Sequence, residues 1–61
     1  MPMTPKEMVK FLKENGFREI RQTGSHLTLR NKENISVQIP MHSKDLKKGT
    51  EQKILKDAGL K

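Results

Sequence analysis

His26-Leu27-Thr28-Leu29-Arg30, the polar run Asn31-Lys32-Glu33-Asn34, and Ile35-Ser36-Val37-Gln38-Ile39-Pro40 decide the fold of this chain. Side chains on a strand alternate between its two faces. Leu27 and Leu29 therefore point one way, and His26, Thr28 and Arg30 the other. The second run repeats the pattern, with Ile35, Val37 and Ile39 inward and Ser36 and Gln38 outward. Residues 31–34 read as a turn, so strands over 25–31 and 35–39 pair antiparallel. Pro40 ends the second strand because it has no N–H for a ladder. Upstream, Thr23-Gly24 reads as a tight turn, preceded by a short strand over 18–22 with Ile20 facing inward.

Helices flank the strands. Thr4 caps the first, Pro5 fits its first position, and Glu7 completes a capping box. Met8, Phe11 and Leu12 follow at i, i+3 and i+4 with Val9 alongside, which is an amphipathic stripe. Asn15-Gly16 stops the helix, and Phe17 packs back on its last turn. Residues 41–49 form a basic loop anchored by Leu46. Thr50 is expected to cap the second helix, with Gly49 serving the backbone before it. Lys53 at the third position leaves that capping box incomplete. Ile54, Leu55 and Ala58 make the apolar face, Gly59 ends the helix, and Leu60 folds back. The expectation is a single α+β domain over residues 1–61, ordered α-β-β-β-α. Each helix and the sheet has one apolar face, so both helices belong on one side of a three-stranded antiparallel sheet. The other side stays open and polar, carrying Arg21, His26, Thr28, Arg30, Ser36 and Gln38. Glu19 is placed near that face, where a lone carboxylate serves solubility before catalysis.

Composition narrows the function classes. With 61 residues and no cysteine, the chain forms no disulfide and no thiolate zinc site. It suits a reducing compartment, and a cytoplasmic location is expected. The N-terminal Met1-Pro2-Met3-Thr4-Pro5 lacks the basic start and apolar run of a signal peptide, and no apolar stretch is long enough to span a bilayer. Thirteen Lys and Arg against seven Asp and Glu leave a formal net charge of +6, a dense positive field that attracts polyanions. The only aromatic residues besides histidine, Phe11 and Phe17, are read as core. Without exposed rings to stack on bases, the chain should contact phosphates, 2′-hydroxyls and helical shape. Two isolated histidines and scattered carboxylates give no metal-ligand spacing, and no phosphate-cradling glycine loop exists. No cofactor is expected.

Gly24-Ser25-His26 is the triplet that points to chemistry. Histidine exchanges protons near neutral pH, and this one starts a strand on the open face beside a glycine turn. Arg21 and Arg30 offer fixed positive charge on the same face. RNA scission uses such a pair: a base takes the 2′-hydroxyl proton, the oxygen attacks phosphorus, and cations support the developing charge. A surface histidine beside an ordinary hairpin glycine is the plainer alternative. Lys6, Lys10 and Lys13 share one face of the first helix, and Lys44, Lys47 and Lys48 cluster in the loop before the second. Both sets are read as phosphate contacts or solvated lysines, and the loop set also as a dock for an acidic protein surface.

Thr23-Gly24-Ser25-His26-Leu27, Ile39-Pro40-Met41-His42, Asp45-Leu46-Lys47-Lys48-Gly49-Thr50 with Ile54-Leu55-Lys56, and Lys10-Phe11-Leu12…Asn15-Gly16-Phe17 together resemble the HicA family. The ordered set covers nearly the whole chain. The resemblance implies a double-stranded-RNA-binding-like fold and a messenger-RNA interferase toxin neutralised by a HicB-type antitoxin. It implies that operator DNA is reached only through the antitoxin. It also implies that His26, in its Gly-Ser-His setting, is catalytic; Gly24, Ser25 and Thr28 around it are expected to contact RNA. Many members carry a second histidine directly after the first; this chain has Leu27 there, read as core. The proton for the leaving 5′-oxygen then has to come from His42, a lysine or water; His42 is otherwise read as a phosphate contact. Competing readings are a non-catalytic RNA-binding module of the same fold and a protein–protein adaptor.

Overall fold

The computed structural model describes residues 3–60; Met1, Pro2 and Lys61 lie outside the described residues, the first two within the stretch where no leader was expected. Thr4 opens the first helix, α1 (Pro5–Glu14), through a complete capping box. Glu7 N–H donates to Thr4 Oγ1 at 3.2 Å, and Thr4 N–H donates to Glu7 Oε1 at 2.8 Å. Gly16, at φ +91°, closes the helix. Phe17 N–H reaches the Leu12 carbonyl and Gly16 N–H the Lys13 carbonyl, the paired bonds of a Schellman end.

The bond from Thr4 N–H holds the Glu7 carboxyl below its ordinary range, with the Thr4 hydroxyl adding to the effect. A carboxyl lowered on folding stabilises the native state above its unfolded pKa and loses that contribution as pH falls through the folded value. Glu7→Gln keeps an acceptor and removes the titration. Wild-type thermal stability should therefore drop slightly more than that of Glu7→Gln between about pH 6 and pH 3, read from melting curves. Identical pH dependence in the two proteins would show that the bond contributes nothing on folding.

Three strands follow: β1 (Arg18–Thr23), β2 (His26–Arg30) and β3 (Ser36–Pro40), in sheet order β1-β2-β3 with both pairs antiparallel. Gly24 and Ser25 make the two-residue turn between β1 and β2. Gly24 takes φ +59°, a left-handed value that glycine adopts without a Cβ penalty. In the second connection the Asn31 side-chain oxygen accepts from the N–H groups of Glu33 and Ile35, while Asn34 takes φ +66°. Leu27, Leu29, Val37 and Ile39 form the inner face of the sheet. They join Met8, Val9, Leu12, Phe17, Leu46, Ile54 and Ala58 in one core. Phe11, expected in the core, is half-buried and outside this cluster.

The first strand departs from the sequence expectation. Ile20 is 45% exposed rather than inward. Arg18 and Glu19 pair with Arg30 and Leu29, but Arg21 pairs with Thr28, so Ile20 is an extra residue in the ladder. A bulge shifts the alternation by one, and every side chain upstream of it changes face. Glu19 is thereby opposite the inward Leu29 and forms an ion pair with Lys13 of α1, which removes it from the open face. Both partners are about half exposed, so the pair contributes roughly 0–1 kcal/mol.

The second helix also differs. α2 (Lys48–Asp57) starts two residues before Thr50, with Lys47 as its cap residue and no side-chain cap bond. Buried Leu46 and the bond from its N–H to the Met3 carbonyl, 2.8 Å, fix the chain just upstream. Helical bonding then begins at once, with Glu51 N–H on the Lys47 carbonyl. Gly49 and Thr50 consequently lie inside the first turn. At the other end Leu60 N–H bonds the Leu55 carbonyl past Gly59, at φ +76°. The helix end expected from Gly59-Leu60 is present.

Candidate active site on the open sheet face

The helices cover the face bearing Leu27, Leu29, Val37 and Ile39, which leaves the alternate positions of the sheet to solvent. Register arranges that open face in rows. Thr23, His26 and Pro40 stand side by side; next come Arg21, Thr28 and Gln38; then Arg18, Arg30 and Ser36. His26 and the arginines are exposed, and Thr28 is half-buried between them. Arg21 is a diagonal neighbour of His26 across the β1–β2 pair, about 7–8 Å between backbones and within reach of a long side chain. Arg30 lies four residues along β2, roughly 13 Å away, so it stands apart from the immediate surroundings of His26. Its Nε donates to Ser36 Oγ at 3.0 Å, which orients the guanidinium across the strands.

The chain places His42 against His26. Their ring centroids are 6.1 Å apart, and the ring planes meet at 66°. The cause is local. Met41 N–H donates to the Ser25 carbonyl at 2.6 Å, tying the exit of β3 to the Gly24-Ser25 turn. Ser43 N–H closes a turn onto the Pro40 carbonyl. The residues after each tie, His42 and His26, are thereby brought face to edge.

An open groove of about 430 Å³ runs from His26 past Ser36, Gln38 and Pro40 to Thr50, Lys53 and Asp57 on α2. A recess of about 270 Å³ gathers Thr4, Pro5, Lys6, Met41, Ser43 and Lys44. Lys6 and Lys44, distant in sequence, therefore share a recess that Met41 and Ser43, the neighbours of His42, also line. Lys10 is exposed on α1, on the helix side of the sheet. Lys47 and Lys48 stand exposed at the start of α2 rather than in the loop expected for them. Among the described residues, no group of three or more His, Cys, Asp or Glu side chains could hold a metal ion.

Two functional candidates escaped the sequence reading. Arg18 joins the open face only because of the bulge at Ile20, and strict alternation puts it on the opposite face from Arg21. Lys53 enters the groove because α2 docks through buried Ile54 with residues 50, 53 and 57 on the adjoining face beside β3. Their helical i, i+3, i+4, i+7 spacing was the signal available for that face.

The fold and face define a small double-stranded-RNA-binding-like α-β-β-β-α domain with a cationic, histidine-bearing sheet surface. The chain belongs to the HicA toxin family: the family model described as the HicA toxin of bacterial toxin–antitoxin systems matches residues 5–60. It is also similar to a chain from a toxin–antitoxin complex of Streptococcus pneumoniae, at 40% identity and a TM-score of 0.84, over 97% of this chain and 100% of that one. No curated protein matches it. Among the described residues, no helix is long and apolar enough to cross a membrane.

Proposed function

We propose that this toxin is an endoribonuclease that cleaves messenger RNA without a metal ion, using His26 to remove the 2′-hydroxyl proton. The observation that carries the reading is His26 exposed on a face where Arg21 is its diagonal neighbour, with Arg18 and Arg30 beyond. Proton removal makes the 2′-oxygen a nucleophile toward the adjacent phosphorus. The Arg21 guanidinium offers forked donors to the phosphoryl oxygens as charge accumulates there. Gly24 and Ser25 hold the backbone that presents His26, and Thr28 offers a hydroxyl beside the reacting phosphate. Arg18 and Arg30 bind the next phosphates. His42, Lys44 and Lys6 continue the positive path around the loop, and Lys10 and Lys48 supply charge at longer range.

The test is purified chain with RNA in chelator across a range of salt. Cleavage leaving 2′,3′-cyclic phosphate and 5′-hydroxyl ends is the expected result. RNA that stays intact while binding the chain with strong salt dependence would overturn the reading in favour of a non-catalytic RNA-binding module.

A HicB-type antitoxin is the proposed partner, covering the histidine face and meeting Lys44, Lys47 and Lys48 with acidic side chains. The likeness to a toxin–antitoxin complex chain supports a protein partner. Charge reversal at these three exposed lysines should weaken the complex at least tenfold and flatten its salt dependence, measured by titration calorimetry. Unchanged affinity would remove the loop from the interface. Contact with operator DNA would then run through the antitoxin alone.

A further inference from the structure

We infer that His42 is the proton donor to the leaving 5′-oxygen, working opposite His26 as proton acceptor. The inference rests on the ribonuclease reading above and names its missing partner. Transesterification moves two protons. The 2′-O–H bond breaks, its proton goes to the base, and a new bond forms from the 2′-oxygen to phosphorus. The P–O5′ bond then breaks, and the departing oxygen takes a proton from the acid. The products are a 2′,3′-cyclic phosphate and a 5′-hydroxyl, and no other reactant is consumed. One histidine covers half of this exchange.

The position of His42 is built rather than incidental. The Met41–Ser25 backbone bond anchors the residue before it to the residue before His26. Downstream, the Ser43–Pro40 turn and buried Leu46, bonded through its N–H to Met3, hold the other end of the loop. The rings end 6.1 Å apart, edge to face. A catalytic group needs to come within about 2.6–3.2 Å of its reacting atom. Two rings at this separation can each engage one of the two apical oxygens of a single phosphate seated above the pair. As a class, an imidazolium is also a better proton donor near neutral pH than an ammonium. Lys44 moreover lines the Lys6 recess, and Lys53 the α2 side of the groove.

The test uses two oligonucleotides, one with the natural 5′-oxygen at the cleaved bond and one with sulfur in its place. Sulfur leaves without protonation, so an acid is needed only for the oxygen substrate. Single-turnover rates are measured for wild type, His42→Ala, His42→Gln and His26→Ala, each checked for an unchanged melting temperature. Loss of the acid should slow the oxygen substrate by about 10²–10⁴-fold in both His42 variants. On the sulfur substrate the same variants should lie within a few-fold of wild type, while His26→Ala remains slow on both. Equal slowing of both substrates by the His42 variants, or no slowing at all, would overturn the assignment. Rescue of His26→Ala by sulfur, with His42→Ala not rescued, would reverse the two roles and overturn it as stated. A wild-type chain that cleaves neither substrate would overturn the ribonuclease reading and the proposal with it.

Discussion

His26→Ala should cut RNA cleavage by about 10²–10⁴-fold, the usual contribution of a positioned base. In a bacterial host, induction of the wild-type chain should arrest growth and degrade RNA, and induction of the variant should do neither. The side chain is exposed and makes no core contact, so the substitution should alter stability by no more than about 0.5 kcal/mol. Binding should survive as well, because Arg18, Arg21 and Arg30 remain on the face. Full activity in a folded variant would show that the cleaving group lies elsewhere; arrest by both proteins would separate toxicity from His26.

Leu29→Ala is expected to have the largest effect on the fold. Leu29 is fully buried on the middle strand, opposite Val37 on β3 and Glu19 on β1. Truncating such a side chain costs about 2–5 kcal/mol, through lost transfer energy and the cavity left behind. A single core in a domain of this size rarely supplies more than about 3–5 kcal/mol. The substitution should therefore lower the melting temperature by well over about 8 °C and leave much of the chain unfolded at 37 °C. Circular dichroism melts measure this directly. A shift smaller than about 4 °C would mean that the surrounding core collapses into the space. Saturating antitoxin should restore part of the loss, because a ligand selective for the folded state stabilises it by mass action.

The parts of the fold legible in the sequence were those set by local rules. Leu27 and Leu29, Val37 and Ile39 fixed the faces of two strands by alternation. Thr4, Pro5 and Glu7 marked one helix start, and Gly16 and Gly59 marked two helix ends. The misplaced parts had no local signal. Ile20 is apolar and sits in a strand, so alternation counted from Thr23 points it inward; it is instead the extra residue of a bulge that no glycine marks, and it turns out. Thr50 has the chemistry of a cap, but Leu46 had already fixed the chain at Lys47 and the helix began there.

The candidate site divides along the same line. His26 and its face were legible from the sequence because the Gly24 turn and the β2 alternation are both local. The nearness of His42 was not, since 16 positions separate the two histidines and their meeting depends on one backbone bond between Met41 and Ser25. The grouping of Arg18 with Arg21 likewise waited on the bulge, and that of Lys6 with Lys44 on the docking of the loop. Sequence periodicity alone determined which residues turn inward along a regular strand or helix, because that repeat belongs to the backbone. Which outward residues become neighbours was decided by the tertiary structure, because pairing register and loop anchoring depend on contacts between segments that no spacing records.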